Sequence, residues 1–286
     1  MRYGFNWQGS KNKIAKDIVD ILPKSDCLVD LFSGGCAITH YALTVKKWKH
    51  IIANDIKGSA VFFKDVLEGK VKNIYEPITR EEFNLRKSYD IKVAACWSFG
   101  GDCDSYLWSK EKEGVKLAAF KMLTADSVEA RYAFYKVFIR ELDNYNTDFD
   151  VLEGLQAIEG LNALKTIQNS GGKDVSIDSY TLDYQDVDIP KGATVYCDIP
   201  YSNTSDKGND YKNKFDSERF YAWALSKDFP VFVSEYSMPD EFTQIWSKNK
   251  TCAMCSACNS KQTTEKLFVQ SKYAKDFQSS QMELYE

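Results

Sequence analysis

Cys27-Leu28-Val29-Asp30-Leu31-Phe32-Ser33-Gly34-Gly35-Cys36-Ala37 opens the stretch that decides the fold, and the chain from Ile38 to Asp55 completes it. The apolar run 27–32 predicts a buried strand. Ser33 to Ala37 is a small-residue turn, and Ile38, Tyr41, Ala42 and Val45 carry the spacing of a helix face through 36–47. A second apolar run follows at 50–54. Two buried strands joined through a helix form a β-α-β unit of the parallel type. In open parallel sheets ligands collect at the C-terminal strand edges, where glycines let the backbone approach them closely. Asn54-Asp55 falls on that edge, beside the glycine turn.

Far downstream, Ala193-Thr194-Val195-Tyr196-Cys197 predicts another buried strand, and it ends in Asp198-Ile199-Pro200-Tyr201. A carboxylate and the carbonyl before a proline accept hydrogen bonds from an exocyclic amine, and a tyrosine ring stacks on the plane that carries it. The group suits a nucleobase; the same four residues also serve as a plain turn covering a sheet edge.

The α/β pattern frames a different middle. Ser10 is the expected N-cap of a helix bearing Ile14, Ala15, Ile18, Val19 and Leu22, stopped by Pro23. From about 60 to 165 helices and aromatic stripes dominate, with Phe134, Tyr135, Val137, Phe138 and Leu142 expected as a buried helix face. Cys96 to Asp102 reads as a mobile surface loop. Strands near 175–180, 193–198 and 230–236, a helix over 217–227, and an antiparallel pairing of 266–270 with the segment near 250–254 complete the expectation. The predicted architecture is a Rossmann-like, mostly parallel sheet with a C-terminal antiparallel pair, in which 1–59 and 166–286 form one domain and 60–165 an inserted helical one.

At 286 residues, 44% of them hydrophobic, the chain can bury a large core. Its net charge of −4 excludes a broadly basic nucleic-acid coat, so any phosphate contact must be a local patch. Candidates are Lys11, Lys13 and Lys16, then Lys207, Lys212 and Lys214, then Lys261 and Lys266. Residues 1–25 lack a continuous apolar segment of signal-peptide form, and no run approaches a membrane span. The eight cysteines are therefore expected as free thiols in a reducing cytoplasm. Cys252, Cys255 and Cys258 supply three of the four ligands a structural zinc needs, with both histidines far away in sequence, so no metal is expected.

With Asn6-Trp7-Gln8-Gly9-Ser10-Lys11 before the glycine turn, Asn54-Asp55 after it and Asp198-Ile199-Pro200-Tyr201 downstream, the sequence resembles the DNA adenine-N6 methyltransferases of the Dam type over roughly Tyr3 to Val269. It departs from the family pattern at Ile199, usually proline, and at Gly34-Gly35-Cys36, usually Gly-x-Gly. The resemblance implies a site-specific enzyme that moves a methyl group from S-adenosylmethionine to a flipped-out adenine of double-stranded DNA, as in restriction-modification, without an obligate protein partner. It implies Asp198, Ile199, Pro200 and Tyr201 as catalytic. It implies Trp7, Lys11, Asp30, Phe32, Ser33, Gly34, Gly35, Cys36, Asp55, Asp183, Tyr184 and Asp198 at the cofactor: Asp30 on the ammonium, Asp55 on the ribose, Asp183-Tyr184 at the adenine. Lys207, Lys212 and Lys214 are expected on DNA phosphates. The same hydrogen-bonding logic also fits cytosine N4 or an RNA base, and a silent binder of cofactor or DNA.

Overall fold

The computed structural model describes residues 3–143, 151–170, 174–200, 215–251 and 262–277. In chain order the elements are α1 (Ala15–Ile21), β1 (Cys27–Asp30), α2 (Ala37–Val45), β2 (His50–Asn54), α3 (Ser59–Leu67), α4 (Arg80–Arg86), α5 (Ile91–Cys96), α6 (Lys110–Thr124), α7 (Val128–Asp143), α8 (Val151–Ser170), β3 (Ser176–Tyr180), β4 (Thr194–Asp198), α9 (Ser217–Leu225), β5 (Val231–Ser234), β6 (Phe242–Thr251) and β7 (Gln262–Gln270). The strands form one sheet in the order β3-β2-β1-β4-β5-β7-β6. The first five are parallel, and β7 runs antiparallel between β5 and β6.

Strand order reverses between β1 and β4, so Asp30 and Asp198 end neighbouring strands at the point where a crevice opens. The period of two explains why both faces of these strands are apolar. Leu28 and Tyr196 face one core with α1, α2 and α3, while Val29, Val195 and Cys197 face a second with Phe220, Trp223 and Ala224 of α9. α3 packs on β2 and β3, and α8 on α3, whereas α7 packs chiefly on α6.

Four expectations need correction. Ser10 does not cap α1: the N-cap is Ile14, with no side-chain bond, because residues 10–14 first make turns and the Ser10 hydroxyl accepts from the Asn12 amide. The partner of 266–270 is 242–247 rather than 250–254, since Lys266 pairs with Ser247 and Gln270 with Phe242. On α7, Phe138 is buried but Tyr135 and Val137 are exposed; the stripe 134, 138, 142 has a four-residue period, and 135 and 137 lie off it. The 96–102 segment is pinned rather than a free loop: Trp97 is fully buried, Ser98 bridges to Tyr106, and Phe99 alone among its large side chains faces solvent.

Candidate active site

Three strand ends converge here, and Asn54 ties them together. Its side-chain amide donates to the carbonyls of Leu31 and Leu182, its Oδ1 accepts from the Leu182 amide, and its own carbonyl accepts from the Ser33 amide. A buried carboxamide with its polar groups satisfied fixes the loops after β1, β2 and β3 in one arrangement. The sequence placed Asn54 on this edge beside Asp55 but gave it no role of its own, although a lone polar residue closing the apolar run Ile51-Ile52-Ala53 was the available signal.

The turn after β1 is built for close approach. Cys36 takes the left-handed conformation, φ 57°, where the family's glycine would be free of strain; its amide returns to the Ser33 carbonyl at 2.6 Å. A Cβ on Gly35 would lie 2.7 Å from the Phe5 carbonyl oxygen and from Trp7 Cβ. The reason is a strap, residues 4–11, that folds back across the turn. Phe5 donates to the Gly35 carbonyl at 3.0 Å, Trp7 lies against Gly34 and Gly35, and the Gln8 amide reaches the Gly101 carbonyl at 3.1 Å. Lys57 sets its ammonium 5.7 Å from the centre of the Trp7 ring.

Asp30 sits buried at the end of β1, and Thr39 of α2 donates to its Oδ2 at 2.7 Å. Its Oδ1 is buried without a hydrogen-bond partner. Burial pushes the carboxyl up to about 7, the Thr39 bond opposes this, and the Asp198 and Asp55 charges add to it. Asp55 accepts from the Gly34 amide at 3.0 Å and the Lys57 amide at 2.9 Å. Burial still holds its carboxyl above the ordinary range despite those bonds.

At the end of β4 the Lys11 ammonium stands 2.7 Å from Asp198 Oδ1 and 3.9 Å from Oε2 of Glu265, a buried residue of β7 that sequence reading did not single out. The strap thus runs from the glycine turn to the Asp198 carboxylate. Ile199 buries its side chain in the second core, among residues such as Val29 and Phe220. A branched side chain is accommodated there without altering the backbone carbonyl, which is the polar group at that position. Pro200 is half-buried, and Tyr201, Lys207, Lys212 and Lys214 lie outside the described residues.

Asp183 and Tyr184 follow the Asn54-held Leu182. Arg219 of α9 approaches Asp183 Oδ2 at 3.3 Å, and the Gln185 amide donates to its Oδ1 at 3.0 Å. Tyr184 is buried against Phe32, Phe220 and Trp223, with ring centres 5.1 to 5.4 Å apart. Ser33, adjoining Phe32, is buried with its hydroxyl on the Asn54 carbonyl.

The ensemble places a glycine turn, two carboxylates at its rim and a third, Asp198, on the neighbouring strand along one sheet edge. Residues 7–230 match the family model described as D12 class N6 adenine-specific DNA methyltransferase. The chain belongs to this family. No curated protein matches it. As a D12 methyltransferase the protein uses S-adenosylmethionine to methylate adenine N6 in DNA. The residues present suit that reagent: an orphaned, buried carboxylate oxygen on Asp30 calls for a donor, and the clustered carboxylates favour a cation. Among the described residues no group of three His, Cys, Asp or Glu side chains is set to hold a metal, and Cys252, Cys255 and Cys258 lie outside them. No described helix is long and apolar enough to cross a membrane.

Proposed function

We propose that this site performs the family's reaction on adenines of double-stranded DNA with the roles that follow. The observation that carries the reading is the Lys11–Asp198 contact beside the strap-covered glycine turn, which joins the cofactor side of the crevice to the target side. When bound, S-adenosylmethionine supplies an electrophilic methyl group, so the protein's task is alignment and exclusion of water.

Asp30 receives the ammonium group on its orphaned Oδ1, and Thr39 keeps the carboxylate turned toward it. Asp55, fixed by the Gly34 and Lys57 amides, accepts from the ribose hydroxyls. Phe32, Ser33, Gly34, Gly35, Cys36 and Trp7 line the turn. Tyr184 and Asp183 close the adenine end, held by Asn54 and the aromatic cluster. On the other side Asp198 and the Ile199 carbonyl accept from the target amine, which holds the nitrogen lone pair out of conjugation with the ring. Pro200 stiffens that carbonyl, and Tyr201 stacks on the extruded base. Lys207, Lys212 and Lys214 take phosphates. The division into 1–59 with 166–286 and an insert over 60–165 belongs to the same proposal. So do activity without an obligate partner and a cytoplasmic setting, which free thiols at Cys27, Cys36, Cys96, Cys103 and Cys197 support.

Labelled-methyl transfer to unmethylated duplex DNA, followed by identification of the modified base, tests the whole reading: N6-methyladenine is expected, and label on cytosine or on no base would overturn it. Asp55→Ala is expected to weaken cofactor binding by about 1 to 3 kcal/mol, the cost of leaving hydroxyls unpaired in a closed site. Calorimetry showing parent affinity would move the ribose contact elsewhere.

Asp30 makes the reading sensitive to pH. Its folded pKa, about 7, lies above the ordinary carboxylate value, so the folded chain without cofactor holds an extra proton between the two. The stability it contributes is full below about pH 4 and is lost as pH rises through about 7. Pairing with an ammonium group needs the carboxylate, so cofactor affinity rises over the same window by up to about tenfold per pH unit, with a proton released on binding below about pH 7. Asp30→Asn should remove both slopes. Calorimetry in buffers of different ionisation enthalpy reads the proton directly, and an affinity flat across that window would take Asp30 off the ammonium.

A further inference from the structure

Thr39 and His40 are consecutive on α2, and the reading above uses only the first. The His40 ring is fully buried between the Tyr3 and Phe63 rings. Its Nδ1 accepts from the backbone amide of Gly4 at 2.9 Å, so the ring hydrogen sits on Nε2. That nitrogen is buried without a partner. Burial holds the ring's pKa down at about 4, which keeps it neutral and able to accept at neutral pH. A buried donor left unpaired is costly and calls for a reason, since an apolar side chain would fill the same space without the cost.

The reason lies in what Gly4 begins. Gly4 has φ 67°, and a Cβ there would stand 2.0 Å from the Gly35 carbonyl oxygen, the atom that accepts from Phe5. Downstream of this contact the strap lays Trp7 on the glycine turn and delivers Lys11 to Asp198. The near end of the strap is therefore hydrogen-bonded by the His40 side chain of α2, the helix whose Thr39 orients Asp30, while Tyr41 packs its ring on Tyr3.

We propose that His40 is a positioning residue for cofactor capture: as a neutral acceptor it pins Gly4, seats the strap on the glycine turn and so sets Trp7 and Lys11 in place. This rests on the site assignment above.

Three variants test it. His40→Leu removes the acceptor and keeps an apolar core. His40→Asn restores one, its Oδ1 hanging on the same carbon as Nδ1 does. Gly4→Ala displaces the strap where it meets the glycine turn and the start of α2, and leaves the His40 side chain in place. In the protein without cofactor, His40→Leu should speed hydrogen exchange at the Gly4 and Phe5 amides by about tenfold, the size expected when one neutral hydrogen bond and the contacts behind it are lost. KM for S-adenosylmethionine should rise by roughly the same factor, with KM for DNA unchanged. His40→Asn should recover most of both effects, and Gly4→Ala should reproduce the loss even if His40→Leu fails to fold. Parent exchange and parent KM in His40→Leu, a defect in His40→Asn equal to that of His40→Leu, or parent cofactor affinity in Gly4→Ala would each overturn the proposal. Failure of the underlying site reading looks different: Asp30→Asn and Asp55→Ala would then bind cofactor as the parent does, while the exchange result at Gly4 would stand.

Discussion

Asp198→Ala is expected to slow methyl transfer at least about a hundredfold, equivalent to about 2.7 kcal/mol of lost transition-state stabilisation. The effect should fall on kcat, because the carboxylate orients the amine most strongly as the nitrogen becomes a nucleophile. Cofactor affinity should change far less than kcat, by no more than the loss of the Lys11 contact at the far end of the strap allows. The variant should also fold: Lys11 keeps Glu265 at 3.9 Å as a counter-charge, so removing Asp198 does not strand that ammonium among apolar groups. Asp198→Asn, which retains one acceptor oxygen, should fall between parent and alanine. Single-turnover transfer of labelled methyl to duplex DNA measures the step, and a parent rate in Asp198→Ala would mean that residues 198–201 are only a turn.

The sheet was legible because its signals are local. Runs 27–32, 50–54 and 193–198 are continuous and apolar, since each strand is covered on both faces, and their ends mark the crevice without any knowledge of packing. Asp55 and Asp198 stand where such runs close and Asp30 lies within the first, and the resemblance to the Dam-type enzymes supplied the roles of all three. What escaped depends on contacts across long sequence separations. Glu265 matters only because β7 inserts beside β5, and Thr39 only because one helical face of α2 meets the end of β1. The pairing of 266–270 was misplaced for a similar reason: the partner strand Phe242–Thr251 begins in a stretch, 242–249, whose polar residues gave no strong strand pattern. Tyr135 and Val137 were misjudged because aromatic content alone does not say which face of α7 meets α6.

Lys11 is where the geometry most changes the expectation drawn from the sequence, which listed it among the phosphate-patch lysines and with the cofactor residues but gave it no contact with Asp198. Its ammonium is buried within reach of two carboxylates, so Lys11→Met should set Asp198 and Glu265 facing one another without this cation. Breaking a buried ion pair by removing one partner costs about 3 to 5 kcal/mol, and because Asp198 keeps some contact with solvent the lower end applies here. Asp198 should then hold its proton to higher pH, since a neighbouring cation is lost and a like charge remains. The sign follows directly. The reaction needs the carboxylate, so the acidic limb of the pH–rate profile should move alkaline in Lys11→Met, and raising the pH should recover part of the rate. Lys11→Arg should restore charge but not shape, and recover less than the parent. Adding Glu265→Gln removes the repulsion, so the double variant should be more stable than Lys11→Met while still lacking the strap's contact with Asp198. Denaturant unfolding together with the pH–rate profile separates the two consequences: a Lys11→Met protein of parent stability with an unmoved acidic limb would show that the Lys11–Asp198 contact neither holds the strap nor tunes the catalytic carboxylate.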